Sequence, residues 1–321
     1  MTDPARFAPP VDDLVFRGFR GIDADLPGMF EANRLGRMAD GELEPIEYGG
    51  MRASYQHLER SDPSTDILVV VLGGEICGYA RVEWADTNDG ERTYNAIVAL
   101  RPDARRREIR TGALRWIEAR CRAIAAGHKT APRDDPASPG DRRRWLTAFA
   151  NDGDGDAGLL LEACGYRRHR RFYSMLRPDL EAIPELPLPE GLDVRPISRD
   201  RVAMWRVFEA DTEAFRDHYG WVDDSEEAFL SFVDDPSTDP SLWVVAFDGD
   251  EVAGAVLNGI HQGHDGQTGE GWLDSVFTRR PWRRRGLARA LIVRSLARLR
   301  ERGVATAALG VDSENANQAL S

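Results

Sequence analysis

Arg283-x-x-Gly286-x-Ala288 is the stretch of this 321-residue chain whose residue types and spacing best suit an anionic ligand. It forms a Pro-containing basic turn between an alternating run, Trp272 to Thr278, and an apolar-striped run that begins near Leu287. The start of a helix leaves backbone N–H groups unpaired, and a Gly and an Ala let a ligand come close to them. The pattern therefore suits a bound pyrophosphate. Arg279, Arg280, Arg283, Arg284 and Arg289 supply positive charge, part of it simply solvated. No Gly-x-x-x-x-Gly-Lys-Ser/Thr phosphate loop is present. A solvated basic turn leading into an amphipathic helix is the plainer alternative.

The elements that must hold this turn can be read around it. Over 272–278 β-branched and aromatic residues alternate, which predicts a strand. In the helix that follows, Leu287, Leu291, Ile292, Ser295, Leu296 and Leu299 share one face, arginines take the other, and Gly303 stands at a C-terminal cap position. Earlier in the chain, a strand over 15–19, helices over 23–38 and 51–58, and strands over 67–72, 76–84 and 93–100 precede a basic turn at 105–110. A helix over 111–126 ending at Gly127, a loop over 128–141, a strand over 145–149, a helix over 157–164 and a strand over 167–176 complete a unit. The four prolines of 178–189 read as an extended linker. The order then restarts: strand 192–196, helices 200–215 and 226–232, strands 243–247 and 252–260, the central strand, turn and helix, and a strand over 306–309.

The second half repeats the first. Glu75 and Gly78 fall on Glu251 and Gly254, Arg105 on Arg283, and Gly127 on Gly303. The shift is roughly 177 residues throughout, which marks a tandem duplication of one α/β unit. The expected architecture is α/β (α+β), with a first domain over 1–177, a linker over 178–190 and a second domain over 191–321.

The strand, the basic turn and the helix, followed by Leu309-Gly310-Val311-Asp312-Ser313-Glu314-Asn315, resemble the acyl-CoA-binding region of the GNAT superfamily of N-acetyltransferases. The resemblance covers nearly the whole chain and implies two GNAT-like domains, each a mixed, mostly antiparallel sheet flanked by helices. It implies acetyl-CoA as acyl donor, with the backbone of Val276, Phe277 and Thr278 bonding the pantetheine arm. The N–H groups of Arg284, Arg285, Gly286, Leu287 and Ala288 would cradle the pyrophosphate, with Arg283 beside them. Asn315 matches an Asn that contacts the cofactor in the family; an ordinary helix N-cap suits it equally. Direct transfer to an amine needs a base for the ammonium proton. Asp274, on the central strand and expected on the same side as Val276, is the first candidate, and Glu270 is the second. A structural hydrogen bond is the alternative for Asp274. A backbone N–H at Val276 or Phe277 would polarise the thioester oxygen.

The first copy departs from this pattern. Glu108 and Arg110 stand where the second copy has Gly286 and Ala288, and Ala96 stands where it has Asp274. A carboxylate beside a pyrophosphate costs on the order of 1 to a few kcal/mol at ~4 Å even when screened. Leu161 takes the position of the family's tyrosine. The first domain is therefore expected to be a structural or substrate-shaping partner. In the family the last helix continues into a Tyr-containing segment and a final strand, and the tyrosine protonates the departing thiolate. Here it would fall just past Ser321, so a truncated second domain, an exposed sheet edge and an open cleft are expected.

The acceptor side in this fold is lined by the first two helices of the domain, here 209–221. Asp211 could hold a cationic amine, with His218 or Tyr219 orienting it; a solvated helix end is the plainer reading. The six histidines show no metal spacing, no metal is expected, and His261 and His264, in a Gly-rich hairpin, are expected to be exposed. A net charge of −12 argues against nucleic acid and anionic membrane as partners. The three scattered cysteines fit buried thiols in a reducing compartment, and with no apolar leader a cytoplasmic monomer or homodimer is expected. The leading expectation is N-acetylation of a small-molecule primary amine. Among tandem members the chain is similar to actinobacterial mycothiol synthases, which acetylate a cysteinyl pseudodisaccharide. Peptide N-acetylation and a non-catalytic acyl-CoA-sensing or protein-binding module stay open.

Overall fold

A computed structural model describes residues 3–44, 46–130, 142–221, 225–261 and 269–314. The chain forms two compact units, one of residues 1–42 and 55–168, the other of 43–54 and 169–321. In the first unit the elements run β1 (Leu14–Gly18), α1 (Ile22–Ala39), α2 (Tyr48–Gln56, which ends in this unit), α3 (Pro63–Asp66), β2 (Ile67–Leu72), β3 (Glu75–Asp86), β4 (Glu91–Leu100), α4 (Arg107–Thr130), β5 (Arg143–Ala148) and α5 (Gly155–Ala163). The strands lie in the order β1-β2-β3-β4-β5, antiparallel except for the parallel β4–β5 pair. The apolar face of α4, with Ile109, Ala113, Trp116 and Ile117, closes over Leu68, Val70, Ala80 and Val82. Gly127 does not end α4, which runs on to Thr130; the residue takes no left-handed conformation, unlike Gly303 at φ 82°.

The second unit contains β6 (Phe172–Arg177), β7 (Asp193–Arg195), α6 (Arg201–Phe215), α7 (Glu226–Asp234), β8 (Val244–Asp248), β9 (Glu251–His261), β10 (Glu270–Thr278), α8 (Leu287–Glu301) and β11 (Ala307–Asp312). Its sheet runs β6-β11-β10-β9-β8-β7, again with one parallel pair, β10–β11. α8 covers one face through Leu287, Leu291, Leu296 and Leu299. α6 and α7 cover the other through Met204, Val207 and Phe229. Residues 178–190 are extended but not free. Leu180 is buried in the α8 core, and arginines of α8 donate to Leu186 O at 2.7 Å and to Glu181 O at 3.3 Å.

The outer edge of β11 is not exposed, contrary to the expectation from the sequence. Strand β6 pairs with it antiparallel from Phe172↔Asp312 to Arg177↔Ala307. The strand expected to complete the first repeat thus completes the sheet of the second. An unpaired row of N–H and C=O groups on β11 is satisfied by the nearest strand that can reach it.

The duplication is written into the geometry as well as the spacing. In the first unit Arg105 Nε donates to Leu100 O at 3.1 Å and Nη2 to Gly36 O at 2.9 Å, and the guanidinium pairs with Asp40. In the second, Arg283 Nε donates to Thr278 O at 2.9 Å and Nη2 to Ala214 O at 2.9 Å, and the guanidinium pairs with Asp217. Both copies also use a glycine where two strands come close. A Cβ on Gly78 would stand 2.6 Å from Ala99 O, and one on Gly254 would stand 2.7 Å from Phe277 O. Gly254→Ala is therefore expected to lower stability by about 1–3 kcal/mol, measured by denaturant unfolding, because backbone rather than a flexible side chain must yield.

Candidate functional site

The two copies diverge at the central strand of the second unit. β9 and β10 keep one register from Glu270↔His261 to Leu273↔Asn258 and another from Ser275↔Leu257 to Thr278↔Gly254. Asp274 is the extra residue of a β-bulge. In the first unit β3 and β4 pair without a break from Gly78↔Leu100 to Asp86↔Arg92.

The bulge reverses which way later side chains point. Leu273 faces α8; after the inserted residue Val276 does so, while Ser275 and Phe277 face α6. Asp274 lies on the α6 face, against Gly259 and His261. The expectation that Asp274 and Val276 share a side is thus incorrect, because an inserted residue breaks the two-residue alternation. Glu270, placed cross-strand from His261, shares the Asp274 face.

The same irregularity coincides with a parting of strands. β10 and β11 are paired only at Gly271↔Ala307 and Trp272↔Ala308, although β10 continues to Thr278 and β11 to Asp312. In the first unit the equivalent pair is joined at six positions, Glu91↔Arg143 to Ala96↔Ala148. The wedge beyond Trp272 leaves one edge of Val276 to Thr278 without a strand to bond among the described residues. An extended ligand with amide groups fits such an edge. Thr278 adds a buried hydroxyl without a partner among the described residues.

At the wide end of the wedge the chain turns through Arg280–Trp282 into α8. Trp282, buried against the α8 core, donates Nε1 to Asp248 at 2.9 Å and fixes the turn. Arg284 at φ 60° and Gly286 at φ 83° are left-handed, and Gly286 is the N-cap with no side-chain hydrogen bond. The first intrahelical bond is Ala290 N–H to Gly286 O, so the N–H groups of Leu287, Ala288 and Arg289 lack intrahelical acceptors. No acidic residue stands in the first turn of α8, whereas Glu108 stands in that of α4. This helix start, with nothing within 4 Å of a Cβ placed on Gly286, fits a phosphate group.

Several of the arginines have work inside the protein. Arg283, named from the sequence beside the pyrophosphate, directs its guanidinium to Thr278 O, Ala214 O and Asp217. Arg279 holds Glu213 at 2.5 Å and Val252 O at 3.0 Å, and Arg280 pairs with Asp217. The hydrogen bonds from Arg280 and Arg283 depress the Asp217 carboxyl to about 2, so this clamp stays charged at neutral pH. Arg285 donates to Glu190 O at 3.1 Å.

The acceptor candidates lie on α6 and just past its end. Asp211 accepts a hydrogen bond from Ser275, next to Asp274. His218 and Tyr219 lie beyond the C-terminal end of α6: Tyr219 is stacked by Arg170 at 4.2 Å, and His218 feels Arg283 and Asp312. Burial, then Arg283, pulls the His218 pKa down. Asn315, His264 and residues 131–141 lie outside the described residues.

His261, expected to be exposed, is the main omission of the sequence reading. Its ring is 15% exposed, with Nε2 3.4 Å from Asp274 Oδ1 and Nδ1 3.5 Å from Glu47 Oε1. Burial alone would lower its pKa, but the contacts with Asp274 and Glu47 outweigh it and lift the ring to about 10. Asp274 is reachable yet crowded. Its side chain is 45% exposed, while surrounding protein raises its pKa and His261 opposes the rise. A Cβ on Gly259 would stand 2.6 Å from His261 Nε2 and 2.8 Å from Asp274 Oδ2, so glycine is what leaves room for the pair. Also overlooked was Gly153-x-Gly155-x-x-Gly158 at the start of α5. That helix start is filled by the protein itself: Asp154 caps Ala157 N–H and pairs with Arg110 at 2.7 Å.

Residues 204–320 match the Acetyltransferase (GNAT) family. The chain is 28% identical over 256 residues to the mycothiol acetyltransferase of Geodermatophilus obscurus, covering 78% of this chain and 74% of that protein. It is 27% identical over 304 residues to that of Streptomyces scabiei, covering 91% and 83%. Among solved structures, a GCN5-related N-acetyltransferase from Sphaerobacter thermophilus aligns with a TM-score of 0.65 at 24% identity, over 95% of this chain and 89% of that one. A tandem GNAT protein from the clavulanic acid biosynthesis pathway aligns at 0.60 and 17% identity, over 94% and 91%. At these identities the structural matches speak for the fold, two mixed sheets each flanked by helices.

Gly259→Ala is expected to drive His261 and Asp274 apart. Turnover should fall by about tenfold to a hundredfold while the protein stays folded, read from initial rates beside a thermal melt.

Proposed function

We propose that this chain, an N-acetyltransferase with a GNAT domain in its second unit, transfers the acetyl group of acetyl-CoA directly to a primary amine of a small cationic molecule. The observation that carries the reading is confined to the second unit. A bulged strand parts from its neighbour beside a helix that begins at a left-handed glycine with free N–H groups.

In this reading the freed edge of Val276, Phe277 and Thr278 bonds the pantetheine amides. The N–H groups from Gly286 to Arg289 hold the diphosphate, supported by Arg284 and Arg289. Arg283 acts at one remove by holding the turn to Thr278 and Ala214. An N–H of the same strand polarises the thioester oxygen. Asp274 takes the proton that makes the incoming ammonium nucleophilic. The amine nitrogen then bonds to the acyl carbon, the C–S bond breaks with its electron pair leaving on sulfur, and the second nitrogen proton passes to that thiolate. Asp274, Glu270, Asp211 and Asp235 give the acceptor side a negative field, which favours a cation as substrate. The name shared by the relatives favours mycothiol biosynthesis as a specific case, with the cysteinyl pseudodisaccharide as acceptor.

Titration calorimetry with acetyl-CoA tests the donor site. Gly286→Glu should weaken binding by at least ~tenfold, since a like charge costs on the order of 1 to a few kcal/mol there and 1.4 kcal/mol is a factor of ten. Equal binding by the variant and the wild type would remove the assignment. Asp274→Asn should keep acetyl-CoA affinity and lose on the order of a hundredfold or more in turnover, followed by thiol release with a panel of amines.

A further inference from the structure

We propose that His261, backed by Glu47, is a positioning residue that keeps Asp274 ionised and aimed at the acceptor nitrogen. The inference rests on Asp274 being the base.

The geometry is a line of three groups from three parts of the second unit. Glu47 comes from the segment 43–54, His261 from the end of β9, and Asp274 from the bulge of β10. The imidazole touches one carboxylate through each nitrogen, and Gly259 leaves it space to do so. Without the bulge Asp274 would not occupy this face as an extra residue, and the register Glu270↔His261 brings the ring to it from the neighbouring strand.

The charges around Asp274 explain why a cation is needed. The like charges acting on Asp274 are those of Glu44, from 43–54, and Asp235, from beyond α7, while Glu47 stands on the far nitrogen of His261, Glu270 shares the face of Asp274 and Asp211 holds the neighbouring Ser275. Crowding and these like charges favour the protonated acid, which could not accept a proton. His261 supplies the opposing charge. Its own protonated form is in turn favoured by the carboxylates of Asp274 and Glu47, one at each nitrogen. The proton balance is simple. One proton moves from the ammonium to the Asp274 carboxylate and then to water at its open side, while the ring keeps both of its protons.

The test is the pH dependence of kcat/KM in His261→Asn. Loss of the cation should move the acid limb to higher pH by about one unit or more, which is a roughly tenfold loss on the limb, with activity returning as pH rises. A uniformly lowered profile with an unmoved limb, which is what a packing role predicts, would overturn the proposal. A second readout needs no turnover. The His261 ring, followed by NMR, should titrate far above the ordinary ~6.5 of histidine in the wild type and fall back in Asp274→Asn. A ring that titrates alike in both would also overturn it. Full turnover by Asp274→Asn would instead sink the base assignment itself, a failure distinct from a ring that ignores Asp274.

Discussion

One inserted residue in one strand sets the terms for the second unit. A regular β10 would keep pairing with β11, as β4 does with β5 at six positions, and no edge would be left for a ligand. With Asp274 inserted, the strand bends and twists away, and its pairing with β11 ends at Trp272. Asp274 keeps the α6 side that the alternation before it sets, and the insertion passes Val276 to the face of α8. The open edge of β10 and the exposed carboxylate of Asp274 therefore lie at one local irregularity. The unit tolerates the lost strand pairs because α8 and Trp282 pack the turn tightly from the other side.

The arginine-rich turn looks like a patch of bare positive charge, and the structure makes it something else. Arg279, Arg280 and Arg283 pair with Glu213 and Asp217, and Arg279 and Arg283 also spend donors on backbone carbonyls. Their equivalent in the first unit, Arg105, does the same with Asp40. The clamp is thus a property of the duplicated fold, while a helix start with a left-handed glycine and no acidic residue in its first turn belongs to the second copy. This reconciles a basic turn with a chain whose net charge is −12.

Much of this was legible in the sequence, for physical reasons that also explain what was not. Elements with a strong period, such as the helix beginning at Leu287 and the strand over 272–278, announce themselves, and a Gly and an Ala at a helix start carry their own steric argument. The repeat was legible because turns and caps demand particular residues at fixed intervals. The bulge was not, since an alternation with one residue inserted still reads as an alternation over so short a run. Hence the alternation sets the side of Asp274 with Glu270 but misplaces Val276, beyond the inserted residue. His261 was missed because its burial depends on a cross-strand partner and on Glu47, more than two hundred residues earlier in the chain. Nor does a period-two pattern say which sheet a strand joins, so β6 was assigned to the wrong repeat.

The account turns on the second unit alone gripping a nucleotide diphosphate at the start of α8. A crystal structure with coenzyme A bound measures this most directly. The account predicts the diphosphate against the N–H groups of Leu287, Ala288 and Arg289, with the pantetheine lying along Val276 to Thr278 between β10 and β11. Coenzyme A seated at the start of α4, or elsewhere on the second unit with the wedge empty, would contradict it.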